Sequence, residues 1–358
     1  MLRSLKIAAL RALKTSGAFE RAAHSNWRQD RLVILCYHGI SLEDEHHWDP
    51  DLYMPQEQFA RRMELLERSR CRVLPLAEAV DRLYAHDLPP RSVVLTFDDG
   101  FYDFSARALP VLRKHGFPAT VYLTTYYCDH QHPIFTVACR YILWKQAGMV
   151  KPRDPSFELD LDLADAEARA RTLRSIVEFC QERQLSGREK DCLLKAIARR
   201  LEFDYPDFVS RRMLQLLTPL EAAELAREGI NFQLHTHRHR TPLDPEEFRA
   251  EIEDNRVRLE RMTGNCAEHF CYPSGIVQPQ FLPWLRQLGI GSATTCDHGL
   301  CDTAADPLRL PRYVDTTGAT ELEFESWITG VRAFVPSRRL LGRRLTPPLA
   351  APPTPVRV

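Results

Sequence analysis

The sequence predicts an α/β fold built of parallel strand–helix units curled toward a barrel, and three observations carry that expectation. Short apolar runs of strand length recur along the 358 residues, separated by amphipathic segments of helix length. Strands and helices alternate singly, the order expected of a parallel sheet, and about seven such units suffice to close a barrel. Polar residues with usable chemistry fall just past the C-terminal ends of those runs, where barrels carry their sites; an open doubly wound sheet would use the same ends.

The elements follow in order. Residues 32–37 read as a strand, 55–68 as a helix, 71–74 as a short strand and 76–85 as a helix. A strand at 93–97 leads to a helix at 102–115 closed by Gly116, then to a strand at 120–123 with Pro118 at the turn. The rhythm breaks from about 128 to 217, where Leu173, Ile176, Val177 and Cys180 share one helical face and Leu194, Ile197, Ala198 and Leu201 another, so this stretch is read as a helical insertion. It resumes at Thr218-Pro219-Leu220-Glu221, a capping box with proline at the first helical position, and Gly229 ends that helix before the strand Ile230-Asn231-Phe232-Gln233-Leu234. Residues 245–262 are expected as a helix, 268–271 as a strand, 280–288 as a helix closed by Gly289, and 290–294 as a strand; 308–314 are placed to close the sheet.

The resulting organisation is a basic N-terminal extension at 1–31, a barrel domain at 32–335 interrupted by the insertion, and a basic, proline-rich tail at 336–358 expected to be disordered. Lysine plus arginine equals aspartate plus glutamate at 48 each, so overall charge gives no reason to expect a nucleic-acid partner. The ten cysteines show neither a CxxC pair nor framework spacing, and reduced thiols are expected, with Cys36, Cys271 and Cys296 acting as small hydrophobes. Near the start, Ile7-Ala8-Ala9-Leu10 is too short for the apolar core of a signal peptide, and a cytoplasmic location is the expectation. Residues 1–20 form a basic amphipathic helix that either packs on the domain or makes peripheral contact with an anionic inner membrane face.

The most informative residues are Thr96-Phe97-Asp98-Asp99-Gly100, which set two adjacent carboxylates at the end of a buried strand. Two ionised carboxylates in a pocket repel and resist desolvation, unless a cation neutralises one and the other serves as a base. The complementary set is His235-Thr236-His237-Arg238-His239, where an i,i+4 histidine pair also follows a strand. One carboxylate and two neutral imidazoles hold a divalent ion while leaving coordination positions open, as catalytic zinc sites require. Asp99, His235 and His239 supply that set, on one helical turn or converging from a loop, and Asp98 is left free as a base toward water. His237, between the pair, is read as a solvated or supporting residue.

These motifs resemble the polysaccharide deacetylase family, the NodB-homology or family-four carbohydrate esterases. The resemblance runs from about residue 33 to 314 and includes Leu35-Cys36-Tyr37-His38, similar to a first-strand Tyr-His; Phe270-Cys271-Tyr272-Pro273-Ser274-Gly275, similar to a Phe-Ala-Tyr-Pro-Tyr-Gly signature; and Leu310-Pro311-Arg312. It implies a distorted (β/α)7 barrel and removal of acetyl groups, usually from N-acetylhexosamine units of a glycan. By the same resemblance Asp98 matches the base, and Asp99, His235 and His239 the ligands of a divalent metal, zinc first with cobalt or nickel as alternatives. The backbone amide of Tyr272 matches a donor to the oxyanion.

Two departures stand out. Arg240 follows His239 where the family usually has proline, and the late Leu-x-x-His motif that supplies the general acid is missing. His38 is the first candidate for that acid, from its place at a strand end, and His298 the second. Arg312 either orients Asp98 through a charge-assisted bond or caps the last strand. The expected reaction is metal-dependent N-deacetylation of a surface glycan or its sugar precursor. An O-acetyl esterase, a non-sugar amide hydrolase of the same fold, and an inactive glycan-binding module are the alternatives.

Overall fold

The computed structural model describes residues 2–129, 132–151 and 157–335, so the tail at 336–358 lies outside the described residues. The chain divides into two compact units. Of the described residues, one unit comprises 2–129 and 217–335 and the other 132–151 and 157–216.

The first unit is organised by a parallel sheet. Its strands are β1 (Val33–Tyr37), β4 (Arg72–Val73), β5 (Ser92–Phe97), β6 (Thr120–Leu123), β7 (Asn231–Leu234), β8 (His269–Cys271), β9 (Ser292–Thr294) and β10 (Tyr313–Val314), while β2 (Gly39–Ile40) and β3 (Tyr53–Met54) pair separately. The spatial order is β10-β1-β5-β6-β7-β8-β9, with β4 added beside β5. Every pairing within this sheet is parallel, and β1 lies against β5 in the register Val33↔Val93 to Tyr37↔Phe97. A further parallel bridge joins Thr294 to Leu310, just before β10, so the two ends of the curled sheet approach one another. The sheet is thus a curled half-barrel of parallel strands, the architecture expected from the sequence. All six residues of β5 are buried, which explains the apolar run of Val93, Val94 and Leu95 at its centre.

Helix boundaries follow local chemistry. Gly116 ends Leu109–His115 in the left-handed conformation at φ 64°, and Thr218 with Glu221 forms the expected capping box ahead of Pro219–Arg227. Two expectations are corrected. The segment read as one helix at 102–115 begins with a π-helical turn at Phe104–Ala108, which a simple 3.6-residue period does not reveal. The closing strand at 308–314 shrinks to Tyr313–Val314, because Pro307 and Pro311 lack the N–H a ladder needs and Pro307–Arg309 becomes a 3-10 turn instead.

The N-terminal helix, α1 (Leu2–Thr15), buries Leu10 against Phe19 and Val331. Lys6 pairs with Glu323 at 2.7 Å and Lys14 pairs with Glu325, both on a helix at Glu321–Ile328. Two of the basic side chains that would face a membrane are therefore engaged by the domain. Among the described residues no helix is long and apolar enough to cross a membrane.

The second unit contains helices at Phe135–Lys145, Ala166–Glu182, Gly187–Arg200 and Tyr205–Ser210. Its internal core includes Ile142, Ile176, Leu194 and Ile197, all with no exposed surface, as the helical periodicity of this segment anticipates.

Candidate active site

The end of β5 builds the acidic half of the site. Alternation along a strand puts Thr96 and Asp98 on one side, and the Asp98 amide extends the ladder by donating to Tyr37 O at 2.9 Å. Asp98 is 3% exposed and faces Arg312, which is fully buried. The guanidinium meets the carboxylate as a fork, Nη1 to Oδ1 and Nη2 to Oδ2, each at 2.8 Å. Arg312 is itself fixed: Nε donates to Thr295 O at 2.9 Å and Nη1 also to Thr96 Oγ1 at 3.2 Å. Burial alone would raise the Asp98 carboxyl, but the adjacent guanidinium overrides it and holds the group well below the usual carboxylate range. Asp98 therefore rests as the anion, ready to accept a proton.

The next residue turns the other way. Asp99 adopts φ 70°, and Gly100 after it adopts φ 84° with no room for a side chain, since a Cβ would sit 2.1 Å from Leu123 Cδ1. Asp99 Oδ1 lies 3.2 Å from His235 Nε2 and 3.3 Å from His239 Nε2. Two ligands roughly 2.0–2.2 Å from one tetrahedral ion stand about this far apart, so the separations fit a single shared cation. His235 Nδ1 is 2.9 Å from Cys271 O, and because a carbonyl can only accept, Nδ1 carries a hydrogen. Burial would lower His235, but Cys271, Asp99 and Asp98 raise it well above the ordinary histidine value, so without an ion Nε2 also holds a proton toward Asp99, the position a bound cation would take. Burial pushes His239 down to about 4 against the pull of Asp99, leaving a neutral imidazole at neutral pH. Asp99 is drawn down to about 2, burial being outweighed by His239 and His235. Among the described residues, Asp99, His235 and His239 form one of three side-chain groups whose ligand atoms converge closely enough to hold a metal ion; the other two share Asp98, with Cys36 and His38 or with His235 and Cys271.

The histidine loop is irregular rather than helical. Thr236 and His239 have positive φ, at 61° and 54°, and Ser274 beyond β8 has φ 56°. With Asp99, three non-glycine residues of the two turns that carry the candidate ligands lie in the left-handed region, and such conformations persist only where surrounding contacts over-determine them.

The remaining candidates separate clearly. His38 follows β1 and brings Nε2 to 3.8 Å from Asp98 Oδ2, on the same side as the metal-ligand group. His298 is placed elsewhere: its ring packs 5.8 Å from Tyr313 and 6.5 Å from Trp327, and its electrostatic neighbours are Arg332, Lys6 and Asp297. The Tyr272 amide is not a free donor, because it donates to Thr294 O at 3.3 Å, and the hydroxyl donates to Leu308 O at 2.9 Å. Both corrections have local causes: β8–β9 pairing takes the amide, and the turn after β9 carries His298 against aromatic rings. His237 is buried rather than solvated, with Nδ1 3.0 Å from Thr125 Oγ1.

Several supporting residues escaped the sequence reading. Cys36 and Cys271, expected from the sequence as small hydrophobes, bring their thiols to 3.5 Å and 3.4 Å from Asp98 Oδ2. The period-two pairing of Cys36 with His38 across β1 was the available signal. Asn255 accepts from the His235 amide at 2.9 Å and donates to Leu123 O and Thr125 Oγ1, each at 3.0 Å. Glu251, one turn earlier, is completely buried beside the same loop.

Residues 85–158 and 191–293 match the polysaccharide deacetylase family, a span that contains both the Asp98-Asp99 turn and the His235–His239 loop. The chain belongs to the polysaccharide deacetylase family. Its sequence is 33% identical over 103 residues to YxkH of Bacillus subtilis, named as a polysaccharide deacetylase; the alignment takes in 28% of this chain and 35% of that relative. In fold, the deacetylase resembles Streptococcus pyogenes PplD, solved with acetate, at a TM-score of 0.56 and 18% identity, covering 83% of this chain and 98% of the other. It also resembles IcaB from Ammonifex degensii at a TM-score of 0.53 and 18% identity, covering 84% and 97%. His38 and Arg312 lie outside the family match, so their places in this deacetylase rest on the geometry above.

Proposed function

We propose that this deacetylase is a metal-dependent N-deacetylase acting on N-acetylhexosamine units of a surface glycan or its precursor. The observation that carries the reading is the pairing of a buried, ionised Asp98 with an Asp99–His235–His239 donor set that begins one residue away. Asp99, His235 and His239 would hold the divalent ion, zinc first and cobalt or nickel as substitutes. When bound, the ion lowers the pKa of a nearby water and polarises a carbonyl oxygen. Asp98 accepts the proton of the attacking water, whose oxygen bonds to the acetamido carbon. As the C–N bond breaks, His38 gives a proton to the departing nitrogen, and acetate and a free amine leave. Arg312 keeps Asp98 oriented and charged while this happens.

The same groups would act on an O-acetyl ester, where the leaving alcohol needs less help from an acid than an amine does. The presence of His38 beside Asp98 favours the amide. PplD was solved with acetate, the product expected here. A peripheral membrane contact through residues 1–20 remains part of the proposal for a lipid-linked substrate, with Leu5 as the exposed apolar side chain of α1.

The test is acetate release from an N-acetylated and an O-acetylated glycan panel after chelation and add-back of zinc, cobalt or nickel. Activity should vanish with chelator and return with metal. Asp98→Asn should lower kcat by roughly 10²–10⁴-fold while stoichiometric metal binding persists. Metal-indifferent turnover, or full activity in Asp98→Asn, refutes the mechanism; metal binding without turnover on any substrate favours a glycan-binding module.

A further inference from the structure

The loop from His235 to Arg240 carries two of the three candidate metal ligands, yet it has no regular secondary structure and holds two residues at positive φ. Something must fix it. A helix at Pro245–Thr263 packs beneath it and presents Glu251 and Asn255, one turn apart and both without exposed surface.

Glu251 meets the loop through four contacts. Its Oε2 accepts from the Arg238 amide at 2.8 Å, and its Oε1 accepts from Arg238 Nη1 at 3.1 Å and from Arg240 Nε at 2.6 Å. Its own main-chain carbonyl accepts from the His237 amide at 3.0 Å. The two arginines flank His239, so the carboxylate grips the chain on both sides of that ligand. His239 is the residue held at φ 54°, a left-handed conformation that persists only where its surroundings impose it. The Arg240 amide donates to Thr236 Oγ1 at 3.1 Å, closing the loop over itself.

We propose that Glu251, acting through Arg238 and Arg240, is a positioning clamp that holds His239 at the metal site and thereby sets the affinity for the ion. The inference rests on the metal-site reading above but adds a residue pair to it. A fully buried carboxylate with two partly exposed guanidiniums is a rigid anchor, because the charge-assisted bonds are short and Glu251 has no water to exchange with. The loop's strain is maintained only while that anchor is intact. Arg240 reaches Glu251 through its side chain, a tie that Arg240→Ala removes, whereas Arg238 keeps its main-chain bond to Glu251 when its side chain is removed. Arg240 is therefore the more revealing position to change.

Two measurements on the full chain test the clamp. Competition with a chromophoric chelator gives the zinc dissociation constant of the wild type, Arg240→Ala, Arg238→Ala and Glu251→Gln. Amide hydrogen exchange across residues 235–240 is followed in the metal-free protein. Arg240→Ala should weaken zinc binding about 10–100-fold, as loss of groups supporting metal ligands typically does, with Arg238→Ala milder. Exchange should accelerate in 235–240 and stay unchanged in β1 and β5. If Glu251→Gln does not fold, Arg240→Ala, whose side chain is partly exposed, decides the matter. Unchanged affinity together with unchanged exchange overturns the clamp, as does general destabilisation with wild-type affinity per folded molecule. If the wild type itself binds no zinc, the metal reading fails while the exchange result still decides the clamp.

Discussion

At the scale of single residues, the site depends on how Asp98 is kept charged in a buried position. Its carboxylate has two oxygens, and Arg312 fills both with parallel bonds while a third nitrogen is tied to Thr295 O. Lysine has the charge but not the fork, so Arg312→Lys should leave one oxygen under-bonded and lower kcat about 10–100-fold with little change in zinc affinity. Arg312→Met should cost roughly 3–5 kcal/mol of stability, because a buried carboxylate loses its counter-ion. Steady-state kinetics and urea unfolding of the two variants check both statements, and wild-type kcat in Arg312→Lys would remove Arg312 from the mechanism. The candidate residues that the structure brings together, Asp98, Asp99, His235, His239, His38 and Arg312, are all legible in the sequence, since each ends or follows an apolar run. Cys36, Cys271, Glu251 and Asn255 are not, because a thiol in a strand and a polar residue on an amphipathic helix have commoner explanations than support of a site.

At the scale of elements, the strands were legible wherever burial on both faces made them continuous apolar runs, as in β1, β5 and β6. The two-residue strands β2 and β3 were not, being too short to show any period. Strand β8 illustrates what an element does besides supply a backbone. It ends in Cys271, whose carbonyl orients His235, and it begins with His269, which is 8% exposed with Nδ1 2.8 Å from Ser292 Oγ. Burial, opposed by the charges of Glu268 and Asp81, pushes His269 below the ordinary histidine value. The folded state therefore holds this imidazole neutral, while the unfolded chain takes up its proton below about pH 6.5. The contribution of His269 to stability is complete above that pH and is lost as pH falls toward the depressed folded value. Replacing it with glutamine should flatten the pH dependence: the gap in urea midpoint between pH 7.5 and 5.5 should be smaller in His269→Gln than in the wild type. An equal gap in the two proteins would show that His269 is not held neutral by the fold.

At the scale of the whole molecule, the candidate metal-ligand set joins distant parts of one compact unit. Asp99 leaves β5 and the two histidines leave β7, more than a hundred positions later, with the entire Gln131–Leu216 unit intervening in sequence. No such set exists in an unfolded chain, so an ion that binds the folded site stabilises only the folded state. The expected gain follows from mass action: about 2.7 kcal/mol at a free ion concentration of 100 times Kd. Two compact units also allow two unfolding transitions, for which a single melting temperature is not defined. Among the described residues the second unit contributes no convergent ligand group. Zinc titration in differential scanning calorimetry should accordingly raise the transition of the barrel unit and leave that of the helical unit in place. Asp99→Ala should abolish the upward movement while preserving both transitions, since its backbone turn is set next to Gly100 rather than by the carboxylate. A zinc-dependent shift that survives in Asp99→Ala, or one confined to the helical unit, would place the ion somewhere other than between β5 and β7.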